Sequence, residues 1–384
     1  MSRSESQTRK GILLGQLASN GDCLYATAIA RQIKVDYPGC HLTWAIASAY
    51  RSMLKGNPDV DAVWEITDYG GPGDYEGWWH FKAKAQERKE RGEFDEIFLT
   101  QIYPDNLQFW AGPVRAAIFR SYPRPITVDT DPVVRLDAEE IDNVRRFAES
   151  HQLARKPEVI LFECAPRSEQ SSVTPQFALD VAHTISAAHP DVAIILSSNH
   201  TFASTNENVI DGSALSIREN AELTKYCSLL IGASSGITWI STSDWAKSLP
   251  MIQLVRPDVT LSNSLVYDFK KRGVDTARVI EMSSYSGQDV FECVHTIFTQ
   301  NFQIAKERFE QVTPLRFKHY QHTQYYFLLR GMFGRAFVFL KENIKEHGRP
   351  GQFVGFFVLV LLKCLVLMPP KTLLKLKRFV SRSG

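Results

Sequence analysis

The chain has 384 residues, 44% of them hydrophobic and 22% charged, a balance that excludes disorder as the dominant state and supports a sizeable core in two to three domains of roughly 150 residues. The net charge of +2 hides an asymmetry: residues 341–384 carry nine Lys or Arg against Glu342 and Glu346, leaving 35 basic and 40 acidic residues elsewhere. A slightly acidic body lacks the clustered cations that displace phosphate counterions, which excludes non-specific nucleic-acid binding.

The first ten residues, MSRSESQTRK, are polar, and the apolar run at 11–17 is too short for a signal-peptide core, so export by that route is not expected. Apolar runs at 11–17, 41–47, 62–66, 96–101 and 125–128 predict strands, with helix-like stretches near 22–36, 48–55, 78–91, 106–120 and 137–152 between them. The alternation restarts with strands at 158–163, 192–197, 228–232 and 251–255 and helices at 175–188, 216–226 and 236–247. Such βαβ alternation predicts an α/β protein with two doubly wound, Rossmann-like halves over 1–132 and 158–300, joined by a linker at 133–157. Ligands of open α/β sheets sit outside the carboxyl ends of the strands, so two facing halves put a site in the cleft between them. The six cysteines (Cys23, Cys40, Cys164, Cys227, Cys293, Cys364) show neither a C-x-x-C pair nor zinc-finger spacing, which predicts free thiols, a reducing cytosol and no structural metal.

From 301 to 384 the strand signals stop and the chain becomes aromatic and basic. Residues 353–368 (FVGFFVLVLLKCLVLM) are apolar apart from Gly355 and Lys363. As a helix they are roughly 24 Å long, short of the ~20 residues that a bilayer span needs. Basic residues flank them on both sides, Lys341, Lys345 and Arg349 before and Lys371, Lys375, Lys377, Arg378 and Arg382 after. This favours an interfacial helix on an anionic membrane surface over a true span, whose positive flank lies on one side. A helix docked on the protein's own body is the other alternative.

The loop 17–22 (LASNGD) follows the first strand and opens the first helix. It has no G-x-G-x-x-G, and the chain has no G-x-x-x-x-G-K-[ST], which removes the main support for dinucleotide and P-loop readings. Asp22 at that position either caps the helix or points into the cleft. In the second half, Ser234, Ser235 and Gly236 sit where a strand turns into a helix, a place that favours an anion. The loop 165–175 offers Arg167, Ser168, Gln170, Ser171, Ser172 and Thr174 as further phosphate ligands. Asp129-Thr130-Asp131 reads as a turn before Pro132 rather than a metal-holding D-x-D. Asn20, Gly21 and the adjacent pair Trp78 and Trp79 are candidates for contact with an acceptor, the tryptophans by stacking on sugar rings or, alternatively, as packing residues. Gly232-Ala233-Ser234-Ser235-Gly236 also fits G-x-S-x-G, so a serine hydrolase using Ser234, with Asp258, Asp268, Asp275 or Asp289 and His295, His319 or His322, is a competing reading.

The stretch Gly21-Asp22-Cys23-Leu24-Tyr25-Ala26-Thr27-Ala28, then Tyr37-Pro38, the strand 41–47 and Gly56-Asn57-Pro58-Asp59-Val60-Asp61 resemble the opening of the glycosyltransferase family 9 heptosyltransferases, with their G-D-x-L-x-x-T-P helix start and N-P-x-V-D turn. Leu229-Leu230-Ile231-Gly232-Ala233-Ser234-Ser235-Gly236 and the later Leu249-Pro250 resemble that family's donor segment. The resemblance covers most of 11–256. It implies a GT-B fold, metal-independent inverting transfer without a cofactor, a nucleotide-sugar donor held by the second half, and Asp22 as the base acting on the acceptor hydroxyl. It further implies a heptose or other hexose-like sugar and a lipid-linked saccharide acceptor in lipopolysaccharide or envelope-glycan synthesis. With the basic tail, this places the protein on the cytoplasmic side of the inner membrane, peripheral or monotopic. The pattern departs where Ser234 replaces the family's aspartate, Trp239 its histidine, and Gln170 and Ser171 stand near its lysine. These departures leave the donor open and keep a catalytically inactive scaffold or partner protein as an alternative.

Overall fold

The computed structural model describes residues 9–166, 170–258, 263–311 and 316–367. Strands β1 (Gly11–Gly15), β2 (His41–Ala47), β3 (Ala62–Ile66) and β4 (Glu96–Leu99) form a parallel sheet in the order β3-β2-β1-β4. Central β1 is apolar on both faces, as parallel strands covered on both sides are, and Leu13 is in register with Thr43 on one side and Ile97 on the other. Gly15 has a packing reason: a Cβ there would stand 2.6 Å from Leu99 Cδ2. Helices α1 (Asn20–Asp36), α2 (Tyr75–Glu90) and α3 (Val114–Ser121) accompany this sheet.

Helix α4 (Ala138–Ser150), opened by a capping box between Asp137 and Glu140, leads into the second half. There β5 (Glu158–Glu163), β6 (Val192–Ser197), β7 (Val209–Asp211), β8 (Leu229–Gly232), β9 (Met251–Leu254) and β10 (Val279–Met282) make a second parallel sheet, ordered β10-β9-β8-β5-β6-β7. Its helices are α5 (Pro175–Ala188), α6 (Glu219–Leu223), α7 (Gly236–Ile240), α8 (Leu265–Lys271), α9 (Gly287–Thr299) and α10 (Phe302–Phe309). The α/β reading with two parallel sheets holds, and one buried cluster continues across both halves, from Leu24 and Ile46 to Leu161, Trp239 and Leu265.

Several elements differ from expectation for local reasons. No strand forms at 125–128, because the N–H groups of Thr127 and Val128 donate to Gln32 Oε1 (2.7 and 3.3 Å) instead of to a ladder. The helix expected over 106–120 begins only at Val114, after Gly112 at φ 157° and Pro113. The helix expected over 236–247 stops at Ile240, where Thr242 and Ser243 turn their hydroxyls back onto the carbonyls of Trp239 and Ile240 (3.1 and 2.6 Å). Strands β7 and β10, three and four residues long at the sheet edges, had too little sequence to register as a pattern.

The tail splits into two parts. Helix α10 stays with the second sheet, beside which Gln311 N donates to Glu281 O (2.9 Å). Helices α11 (Lys318–Leu329), α12 (Phe333–His347) and α13 (Pro350–Leu367) gather Tyr320, Phe327, Phe339 and Phe353 into their own core. They dock on the first half through Arg335 to Asp105 (2.9 Å) and Arg120 to Glu346. Helix α13 buries Phe353, Val360 and Cys364 but leaves Val354, Val358, Leu359, Leu362 and Val366 exposed. It is 18 residues long with mean hydropathy 2.0, long and apolar enough to cross a membrane by length and composition. The basic residues after it, Lys371 to Arg382, lie outside the described residues.

Candidate functional site

The strand order reverses next to the first strand of each half: β2 and β4 flank β1, and β6 and β8 flank β5. Such switch points leave a crevice at the strands' carboxyl ends, and here the two crevices face each other. Residues following β1 (Asn20, Asp22), β4 (Gln101), β5 (Gln170), β6 (Ser198) and β8 (Ser234) line one cleft of about 1660 Å³. Typical small-molecule pockets hold roughly 300–1,000 Å³, so this cleft is larger than one small ligand fills.

Asp22 occupies the third position of α1. Its carboxylate accepts the backbone N–H of Ser19, the residue that caps the helix, while its side chain faces the cleft. Cap and cleft roles therefore coexist in one group. Burial lifts its pKa from 3.8 to about 7, and the Ser19 N–H only partly opposes that rise. A carboxyl poised near neutrality is suited to taking a proton.

The loop carrying Asp22 is held from beneath. Gln101 Oε1 accepts the N–H groups of Leu17 and Ala18 (3.1 and 3.0 Å) and the amide of Gln16 (2.9 Å), while Thr100 donates to Gln16 Oε1 (2.9 Å). All three polar side chains are buried. They fix the backbone immediately ahead of Ser19 and Asp22, and the composition of 96–101 alone gave no sign of it.

On the other side, the buried Glu163 at the end of β5 organises the 233–238 turn. Its carboxylate accepts from Ala233 N (2.7 Å), Ile237 N (3.1 Å), Thr238 Oγ1 (2.6 Å) and Ser235 Oγ. The phosphate role expected of this turn meets a carboxylate already in place: α7 is only five residues long, and Glu163 occupies the N–H groups of Ala233 and Ile237 at its start. Ser234 and Ser235 line the cleft with Gly236, but neither hydroxyl is available, since Ser234 Oγ donates to Asn263 O (2.6 Å). The same bond undoes the hydrolase reading. Ser234 is 1% exposed and points at a carbonyl rather than a base, Asp258 pairs with Arg256 (2.7 Å), and His295 bonds His189 (3.1 Å). His319 lies where side chains are outside the described set.

The loop after β5 is also revised. Arg167 and Ser168 lie outside the described residues, and Gln170 lines the cleft. Ser171 is instead buried against Tyr285 OH (3.2 Å), Thr174 caps α5 by accepting from Phe177 N (3.1 Å), and Ser172 is exposed away from the cleft lining. Asn20 and Gly21, expected to contact an acceptor, line the cleft. Trp78 is fully buried against Phe81, so it is core, and half-exposed Trp79 carries Lys82 over its ring 5.2 Å away, outside the cleft lining. Sequence reasoning missed Trp110 and Tyr103, which do line it. Asp129-Thr130-Asp131 is a turn, with Asp131 N on Asp129 Oδ1 (3.0 Å). Among the described residues no group of three or more His, Cys, Asp or Glu could hold a metal ion.

Trp239, at the place of the resembled family's histidine, joins the two halves. Its ring meets Tyr25 edge-on (4.8 Å between centroids), and the buried Arg115 guanidinium lies over both rings (4.9 and 4.6 Å) while facing Asp268 at 3.6 Å. Cation–π contacts and an ion pair out of water hold the cleft floor together.

No family model matches the sequence, and no curated protein matches it. Solved structures do. A glycosyl transferase of family 9 from Veillonella parvula superimposes with TM-score 0.53 at 15% identity, covering 78% of this chain and 94% of that one. An ADP-heptose LPS heptosyltransferase II from E. coli gives 0.50 at 13% identity, covering 76% and 99%. The fold is that of the family 9 glycosyltransferases. The GT-B architecture of two Rossmann-like halves facing a cleft follows from the two sheets and from these neighbours.

Proposed function

We propose that the protein is an inverting, metal-independent glycosyltransferase that moves a sugar from a nucleotide-sugar to a saccharide acceptor. The observation that carries this reading is Asp22: a carboxyl with its pKa raised to about 7, facing the large cleft between the halves of a family 9 fold. The Asp22 carboxylate takes the proton of an acceptor hydroxyl as that oxygen attacks the anomeric carbon. The bond from that carbon to the diphosphate oxygen breaks on the opposite face, and the nucleoside diphosphate leaves. Inversion follows from the single displacement, and the base removes charge that would otherwise build on the attacking oxygen. The E. coli neighbour is named for ADP-heptose, which supports a heptose or other hexose-like donor and an acceptor in lipopolysaccharide or envelope-glycan synthesis.

A thermal-shift series with nucleoside diphosphates and nucleotide-sugars tests the donor. A ligand bound only by the folded state raises the melting temperature, so a selective rise with one nucleotide family is expected; a folded protein indifferent to all of them removes the reading.

The acceptor is proposed to be lipid-linked, with the protein lying on the cytoplasmic face of the inner membrane. Support comes from the exposed apolar face of α13 and the basic residues that flank it in sequence. Leu359→Glu, Leu362→Glu and Val366→Glu together place three charges on that face without touching the buried Phe353, Val360 or Cys364. Co-sedimentation with vesicles containing phosphatidylglycerol should fall at least tenfold with the melting temperature unchanged. Equal binding by the triple variant would exclude this face as the attachment.

A further inference from the structure

The donor that this reading requires brings a diphosphate, and the second half, as described, offers little charge to meet it. Among the described residues lining the cleft, the carboxylates are Asp22 and Asp258, and the only basic side chains are Arg316 and His322. Both come from the C-terminal segment: Arg316 just precedes α11, and His322 stands on its second turn. The packing of that segment explains why they reach the cleft. Next to Arg316, Phe317 inserts against Phe353 (4.9 Å between ring centroids) and Phe356. On α11, Tyr320, Thr323, Gln324 and Phe327 are turned into the buried side, leaving His322 on the open side.

Neither residue is spent on another described residue. Of the described arginines, the two others near the cleft each have a partner: Arg256 is bound by Asp258 through two hydrogen bonds (3.0 and 2.7 Å), and Arg115 sits between rings and Asp268. Arg316 and His322 form no ion pair, hydrogen bond or ring contact with other described residues. A guanidinium and an imidazole that line one cleft with no acceptor among the described residues present donors of the kind that phosphate oxygens take.

Resting on the glycosyltransferase reading, we infer that Arg316 and His322 are the phosphate-binding residues of the cleft, supplied by the C-terminal segment in place of the helix start that Glu163 has filled. As the bond from the anomeric carbon to the diphosphate oxygen breaks, its electron pair and negative charge pass to the departing diphosphate, and the Arg316 guanidinium meets that charge. The tail then has a duty in the site besides covering the first half. The chemistry that the pair recognises is a phosphate group, which enters the cleft on the donor's diphosphate or on a phosphorylated acceptor.

Calorimetric titration of the full chain with ADP, UDP, their nucleosides and inorganic pyrophosphate separates these sources. Arg316→Gln should weaken the bound nucleoside diphosphate and pyrophosphate by about 10- to 100-fold, the loss of one charge-assisted contact, and weaken the matching nucleoside less than twofold. His322→Gln should act in the same direction and more weakly. If nucleotide affinities stay intact while the KM of a phosphorylated acceptor rises tenfold and that of its dephosphorylated form does not, the phosphate held is the acceptor's. Wild-type protein that binds pyrophosphate but no nucleotide removes the donor reading and keeps the phosphate site. Variants with wild-type melting temperatures that bind all of these ligands as the wild type does overturn the assignment.

Discussion

Asp22→Asn is expected to lower kcat by about 10²–10⁴, the usual contribution of a general base, while nucleoside diphosphate affinity stays within about threefold, because the base acts in the transition state rather than in donor binding. With its pKa near 7, wild-type turnover should rise with pH through neutrality, falling about tenfold per unit below the pKa, since only the carboxylate accepts a proton. The residual activity of the Asn variant should lack that acidic limb. Normal turnover by Asp22→Asn, or an unchanged limb, removes Asp22 from the mechanism.

The same raised pKa has a cost in stability, and its sign is fixed by linkage. Folding lifts the Asp22 pKa from 3.8 to about 7, so the folded state binds this proton more tightly than the unfolded chain. Its stabilising contribution is complete below pH 4, is lost progressively as pH rises through 7, and is absent above. A shift of that size corresponds to at most about 4 kcal/mol. Asp22→Asn should therefore melt higher than wild type at pH 8 and at the same temperature near pH 4. A base held ready at the expense of stability is common in active sites, and a variant that loses turnover while gaining stability separates a functional group from a structural one.

Much of the fold was legible because parallel strands buried on both faces read as unbroken apolar runs. GILLG at β1, EVILFE at β5 and LLIG at β8 each announced a strand. The loops at their carboxyl ends followed from topology, which is why Asp22, Asn20, Gly21, Gln170 and Ser234 to Gly236 all reach the cleft. What failed was the assignment of roles to polar groups, because composition does not say which donor meets which acceptor. Ser234 and Ser235 look like free hydroxyls until the carbonyl of Asn263 and the carboxylate of Glu163 are placed beside them. Trp78 and Trp79 differ by one position along α2, which rotates one into the core and the other toward water. The contribution of Arg316 and His322 depends on the tail returning across the first half, a contact hundreds of residues apart in sequence for pairs such as Arg335 and Asp105.

Glu163 was overlooked for an instructive reason: a single charge ending an apolar strand reads as the strand's limit, yet here it is 1% exposed and accepts four hydrogen bonds. Replacing it with Ala leaves two backbone N–H groups and two hydroxyls without that acceptor, each worth about 1–3 kcal/mol when stranded. Partial relaxation of the hydroxyls makes the expected loss about 3–5 kcal/mol, at the upper end for a point change. Glu163→Gln is the sharper probe. Oε1 accepts from Ser235 and Ile237 and Oε2 from Ala233 and Thr238, so an amide keeps one pair and confronts the other with an NH₂ donor. This variant should fold with a lowered denaturation midpoint, and the displaced 233–238 turn should weaken nucleoside diphosphate binding about tenfold or more. Asp22→Asn shows the opposite pattern, with binding kept, stability gained above neutral pH and turnover lost. A Glu163→Gln protein that is destabilised but binds the nucleotide normally would confine Glu163 to the fold and move the donor away from the β8–α7 turn, toward the loops after β6 and β7, where Ser198, Ser213 and Asn220 line the same cleft.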